Sequence, residues 1–150
     1  MSGIPWAREP WSEIIPGLWQ GGHYYRDTYD LHEAVVRDEF QFVVSLYSRW
    51  GHGPDEGVRR RYYKIPDGVL SDAELEYVRG LGVLVANAVE DGKNTLVRCQ
   101  AGLNRSGLVV GFALQHMGHN ADTAIRMIRT ARSPYALFNQ HFVSYLEAAS

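Results

Sequence analysis

The chain has 150 residues, 15 Lys and Arg against 17 Asp and Glu for a formal charge of −2, 45% apolar residues and one cysteine. That length and apolar content suit a single domain over residues 1–150 with a proper core. The charge balance disfavours a general affinity for nucleic acid, and one thiol excludes an intrachain disulfide. The apolar runs near 82–89 and 108–114 are too short for a bilayer, and "MSGIPWAREPW" carries no signal-peptide pattern. A soluble protein of a reducing compartment, the cytoplasm, is expected, with no membrane partner.

In chain order, "WSEIIPGLWQGG" at 11–22 predicts two short strands around a Pro-Gly turn. "RDTYDLHEAVVRDEF" at 26–40, with Leu31, Ala34 and Val35, predicts a helix, and "FQFVVSLY" a buried strand. "SRWGHGPDEG" reads as a long exposed loop and "RRYYKI" as a returning strand. The charge of "VRRRYYK" at 58–64 reads as a solvated strand face, with a substrate-facing basic strip as the alternative. Ser71 and Glu74 have capping-box spacing ahead of a helix lined by Leu75, Val78, Val85 and Val89. "TLV" at 95–97 is a strand and "SGLVVGFALQHM" a helix; further helices cover "ADTAIRMIRTAR" and the stretch from near Leu137 onward. Strands alternating with helical crossovers predict an α/β fold, a central, largely parallel sheet flanked by helices.

Between "TLV" and "SGLVV" lies "RCQAGLNRSG", a strand-to-helix loop at a strand's carboxyl end, where open α/β sheets bind ligands. The first turn of a helix has N–H groups without intrahelical partners, and the macrodipole adds positive character there. Phosphate fits such a place. Gly102 permits positive φ, so the N–H groups of Gln100, Ala101, Gly102, Leu103 and Asn104 can turn inward as an anion nest, and Arg105 adds a planar fork for two phosphate oxygens. A positive field at its mouth favours the thiolate form of Cys99, a nucleophile aimed at phosphorus, and Ser106 places a hydroxyl beside it. Taken alone Cys99 would be a packing residue; the flanking strand, helix, Gly102, Arg105 and Ser106 favour chemistry.

"RCQAGLNRSG" resembles the signature of cysteine-dependent phosphatases of the small dual-specificity group. "IIPGLWQGG" is similar to the family's opening strands, and "RTARSPYALFNQHFVSYLE", with Asn139 and Phe142, to its closing segment. The resemblance implies the family's fold, a cysteinyl-phosphate intermediate, no cofactor or metal, and an aspartate general acid on a loop before the cysteine. "KIPDG" puts Asp67 on such a loop, thirty-two residues ahead of Cys99. The competitor, Asp72, falls in a first helical turn, where the dipole already explains an acidic residue. In this scheme Cys99 attacks phosphorus, Arg105 and the loop N–H groups hold the equatorial oxygens, Asp67 protonates the leaving oxygen and then activates water, and Ser106 stabilises the departing thiolate. One position departs from the pattern. The family's usual histidine before the cysteine is here Arg98, expected to lean toward the loop and support the thiolate electrostatically. The alternative is that strand alternation turns it away, toward a carboxylate or solvent, leaving the loop N–H groups and helix dipole to act on the thiol.

The substrate implied is a phosphorylated protein or peptide, carrying phosphotyrosine, with phosphoserine and phosphothreonine as further substrates of a dual-specificity member. An RNA or nucleotide 5′-phosphatase is the alternative, because "GLNRSG" also resembles that branch, and a catalytically silent phosphate-binding module is a third reading. Loops acting on inositol phospholipids tend to carry lysines, and this loop has none. "HMGH" at 116–119 lacks a third metal ligand, and the loop lacks the Gly-Lys-Ser/Thr of a nucleotide P-loop.

Overall fold

The computed structural model describes residues 3–149. Strands β1 (Trp11–Ile15) and β2 (Leu18–Gly22) form a hairpin across Gly17, whose φ is +87°. Next come β3 (Tyr24–Arg26), β4 (Leu31–Glu33), β5 (Phe42–Ser45), β6 (Arg59–Tyr62), α1 (Asp72–Glu90), β7 (Thr95–Cys99), α2 (Arg105–His116), α3 (Ala121–Ala131) and α4 (Gln140–Ala149). The main sheet has the order β1-β2-β7-β5-β6, antiparallel only at β1–β2. The expected α/β fold with a largely parallel sheet and flanking helices is what forms.

Register decides where the site can be. Gly22 pairs with Cys99, Arg98 with Ser45, and Ser45 with Tyr62, so β2, β7, β5 and β6 end together at one edge of the sheet. Alternation then separates side chains. Phe42, Val44, Val97 and Cys99 join the core that all four helices bury, whereas Val43 and Leu96 join a smaller cluster with Val36 and Phe40 on the opposite face. Arg98 therefore belongs to the face that Cys99 does not.

Helix α1 begins as the capping box predicts: Ser71 Oγ accepts from the Glu74 N–H at 3.1 Å, and Glu74 Oε1 from the Ser71 N–H at 2.8 Å. Asp72 is the first residue of that helix. The last helix starts at Gln140 rather than near Leu137, because Leu137 takes φ +59° and cannot continue into helix.

Two expectations fail. Residues 26–40 are not helical; β3 and β4 pair as a short antiparallel hairpin with Tyr24 opposite Glu33, and the chain then runs irregularly. Asp27 makes the difference: its Oδ1 accepts from the Tyr29 and Asp30 N–H groups, each at 2.8 Å, a turn that competes with helix. The 48–57 loop is also not wholly exposed, since His52 and Pro54 are buried. By contrast β6 is exposed along its whole length, with Arg59 lying over the Phe42 ring at 4.4 Å and Arg60 bonded to the Asp55 and Val58 carbonyls, as the solvated-face reading expects. Among the described residues no helix is long and apolar enough to cross a membrane.

Candidate active site

The loop from Cys99 to Arg105 leaves β7 and enters α2, and its backbone is turned by donors placed behind it. The Cys99 carbonyl accepts from the His23 N–H and ring Nδ1, both at 3.0 Å, and the Gln100 carbonyl from the His23 and Tyr24 N–H groups at 2.9 and 3.3 Å. Arg132 donates to the Ala101 and Gly102 carbonyls at 3.3 and 3.1 Å. Gln20 also reaches the Gly102 carbonyl, at 3.0 Å, and the Leu137 N–H reaches that of Leu103, at 3.0 Å. With the carbonyls drawn to the rear, the opposite side of the peptide units is N–H. None of the N–H groups of Ala101 to Asn104 donates to a protein acceptor among the described residues. Backbone N–H groups gathered in this way can hold an anion, as a cradle of donors.

Glycine is required at Gly102. Its φ is +72°, and a Cβ there would lie 2.5 Å from the Gly21 carbonyl carbon. The cradle continues into α2, whose N-cap Asn104 makes no side-chain cap. Its amide is engaged elsewhere: Nδ2 donates to Asp67 Oδ2 at 3.0 Å, and Oδ1 accepts from the Asn139 N–H at 2.9 Å. The first-turn N–H groups of α2 are thereby left for an anion.

Cys99 is 2% exposed, its thiol donating to Ser106 Oγ at 3.3 Å, so the hydroxyl is equally placed to donate to a thiolate. Asp67 is fixed by two amides, Asn104 Nδ2 on one oxygen and Asn139 Nδ2 on the other at 2.8 Å. Cys99 and Asp67 line one cavity of about 70 Å³, with Gln100, Ala101, Leu103, Asn104 and Arg105, and with Ile4 and Phe138 as apolar walls. A much larger open cavity of about 720 Å³ lies against α3 and α4, but no cysteine or sequence-predicted site residue lines it, so size does not locate the chemistry. The Arg105 guanidinium stands 5.6 Å from the Tyr47 ring centroid, and its buried Nε has no hydrogen-bond partner among the described residues. The structure thus brings Asp67, Cys99, Gln100, Ala101, Leu103, Asn104 and Arg105 to one cavity, with Ser106 behind the sulfur and Gly102 shaping the turn. Asp72 does not line it.

Arg98 corrects an expectation. It is 3% exposed, and its guanidinium is engaged away from the thiol: Nε donates to Ser45 Oγ at 2.9 Å, and the two terminal nitrogens to the His52 and Gly53 carbonyls at 2.8 and 2.7 Å. Strand alternation sets this direction, and the result is a clamp on the His52 and Gly53 carbonyls. Burial lowers Arg98 to about 10, so it stays charged at neutral pH.

Sequence reasoning missed His23, Gln20, Arg132 and Tyr47, because each acts on a segment far away in the chain. The one signal was Gln20, a polar residue in a strand between Leu18 and two glycines, which proves 0% exposed. His23 is also 0% exposed, with its ring stacked at 5.3 Å on His52 and edge-on to Tyr47 at 5.1 Å. Because a carbonyl only accepts, Nδ1 carries the proton. Burial, then the Arg98 charge, lowers His23 to about 3 from an ordinary 6.5. Between those values the unfolded chain takes up a proton that the folded chain does not, so this contribution to stability falls as pH falls, by about 1.4 kcal/mol per pH unit. Urea unfolding at pH 7 and pH 5 is expected to show a loss of about 2 kcal/mol from this residue, absent in His23→Asn. An equal loss in the variant would assign it to another group.

The family model for the dual specificity phosphatase catalytic domain matches residues 51–150. The chain belongs to this family. No curated protein matches it. Among solved structures, this phosphatase domain is similar to human DUSP28, with 24% identity, 99% of this chain and 95% of that one covered, and a TM-score of 0.72. It is also similar to Tk-PTP in its active form, with 25% identity, 75% and 81% covered and a TM-score of 0.59. PTPMT1 in complex with PI(5)P is similar in fold at 13% identity, with 93% and 94% covered and a TM-score of 0.71. A cysteine-dependent phosphatase is supported, acting on a phosphorylated molecule.

Proposed function

We propose that this domain hydrolyses phosphate monoesters of proteins in the cytoplasm, phosphotyrosine foremost and phosphoserine or phosphothreonine with it, through a cysteinyl-phosphate intermediate. The observation that carries the reading is one small cavity holding the Cys99 thiol, a cradle of N–H groups, Arg105 and the Asp67 carboxyl. The Cys99 sulfur forms a bond to phosphorus as the ester P–O bond breaks, and Asp67 gives its proton to the departing oxygen. Water then attacks phosphorus, passing a proton to Asp67, and the S–P bond breaks to return the thiolate, which the Ser106 hydroxyl stabilises. The N–H cradle and Arg105 hold the three other oxygens throughout. No step calls for a metal or cofactor.

The test is turnover of p-nitrophenyl phosphate, phosphopeptides, a phosphoinositide and a 5′-phosphorylated RNA, with the highest kcat/KM expected on phosphotyrosine peptides. Preference for the RNA or the lipid would overturn the substrate class, and binding without turnover would make the loop a docking module. Asp67→Ala is expected to lower kcat on phenyl phosphate by about 10²-fold, and by clearly less on p-nitrophenyl phosphate, whose leaving group needs no proton. Equal losses on both would place the acid elsewhere.

A further inference from the structure

A second cavity, about 310 Å³, adjoins the catalytic one and shares Gln100 with it. Its walls are Trp6, Tyr24, Leu31 and Tyr47, and among the described residues Arg49 is the one charged group lining it. Trp6, Tyr24 and Tyr47 are half-buried, and Leu31 is 41% exposed on a three-residue strand whose partner β3 carries Tyr24. The cavity therefore depends on residues 24–33 forming a hairpin where the sequence pattern predicts a helix. Apolar side chains gathered around an open cavity beside a polar loop are the mark of a binding surface rather than of a core.

The walls are set before anything enters. Trp6 meets Tyr24 edge-on at 6.0 Å, Tyr24 meets His52 edge-on at 5.4 Å, and Tyr47 meets His23 edge-on at 5.1 Å. Rings held in this way lose little freedom on binding. Tyr47 also joins the two cavities, because its ring lies under the Arg105 guanidinium at 5.6 Å. A group in the second cavity is thus one ring away from the group that would hold the phosphoryl oxygens.

The geometry points to a specificity subsite: with the phosphoryl group in the Cys99 loop, a large apolar side chain near the phosphorylated residue of a protein substrate, an aromatic one above all, enters between Trp6, Tyr24, Leu31 and Tyr47. This rests on the phosphatase reading above. Arg49 at the same cavity favours a carboxylate beside that side chain. A nucleic-acid strand fits less well, since it brings a phosphate at every step to a cavity with one cation, on a chain of net charge −2.

The test uses phosphotyrosine peptides that differ only by Phe or Ser at single positions flanking the phosphotyrosine, with p-nitrophenyl phosphate as a substrate too small to reach the subsite. One position is expected to favour Phe by about tenfold or more in kcat/KM, the worth of burying such a side chain. Leu31→Asp and Trp6→Ala are expected to cut that preference to about threefold or less while p-nitrophenyl phosphate turnover stays within about twofold. Wild-type enzyme indifferent to Phe at every position, variants that keep the preference, or variants that instead impair turnover of a 5′-phosphorylated RNA would each overturn the subsite. Peptide affinities of Cys99→Ser, read by fluorescence anisotropy, separate the two proposals. Absence of p-nitrophenyl phosphate turnover in the wild type sinks the phosphatase reading, whereas absence of a Phe preference in affinity sinks the subsite.

Discussion

Cys99→Ser is expected to lower kcat on p-nitrophenyl phosphate by about 10⁴-fold or more, yet to leave inorganic phosphate bound with an affinity within about threefold of wild type. The expectation follows from a division of labour visible in the geometry. In the proposed mechanism the nucleophile is one sulfur, while the phosphate cradle is backbone, its carbonyls held from behind by His23, Gln20, Arg132 and Leu137, none of which bonds to that sulfur. Exchange of sulfur for oxygen removes the nucleophile and leaves the cradle standing. Serine at this position keeps a donor beside Ser106 and changes little volume. Competition between phosphate and a phosphopeptide, measured by calorimetry on the variant, checks the second half of the expectation. Residual turnover near the wild-type level would move the nucleophile elsewhere, and lost phosphate affinity would show that the sulfur helps shape the loop.

The loop itself was legible in the sequence because every cue for it is local: an apolar strand, Gly102 where φ is positive, Arg105 opening a helix, and Ser106 one residue on. Local cues also gave the capping box of α1 and the largely parallel sheet. What stayed illegible is non-local. That the loop carbonyls are drawn backward depends on Gln20, His23, Arg132 and Leu137 arriving from four other segments, and spacing along the chain says nothing about such meetings. Arg98 shows the same limit from another side. Its position beside Cys99 in sequence suggested closeness to the thiol, but strand alternation carries it to the other face, where Ser45, His52 and Gly53 receive it. Leu31, Ala34 and Val35 mimic a helical period over a stretch too short to decide, which predicts a helix at 26–40, whereas the Asp27 turn prevails and β3 and β4 form a hairpin.

Arg132→Met separates loop shape from loop chemistry. Arg132 is 6% exposed and reaches four acceptors: the Gly102 and Ala101 carbonyls, the Glu9 carbonyl at 2.7 Å and Ser12 Oγ at 3.1 Å. It ties the end of α3 to the chain ahead of β1 and to the middle of the cradle. Burial lowers it to about 10, with Cys99 and Glu9 acting in the opposite direction, so it remains a cation at neutral pH. Methionine keeps much of the side-chain length and none of the donors. The carbonyls of Glu9 and Ala101 then have no partner in place of the guanidinium, whereas Gly102 keeps Gln20. An unmet buried acceptor costs about 1–3 kcal/mol, which applies to Ser12 Oγ, while the part-buried Ala101 and Glu9 carbonyls can turn to water, so a loss of about 2–3 kcal/mol in urea unfolding is expected. The Ala101 peptide becomes free to rotate, and a rotated peptide offers a carbonyl where the phosphoryl oxygen needs an N–H. Turnover should fall about 10²- to 10³-fold, the worth of one oxyanion donor, and phosphate affinity should fall with it. That joint loss is the distinguishing sign, because Cys99→Ser loses turnover alone. Arg132→Lys, charged but without the planar fork, should lie between wild type and Arg132→Met in both stability and phosphate affinity. If Arg132→Met loses stability and keeps full phosphate affinity, Arg132 supports the fold and the cradle's shape resides in Gln20, His23 and Leu137.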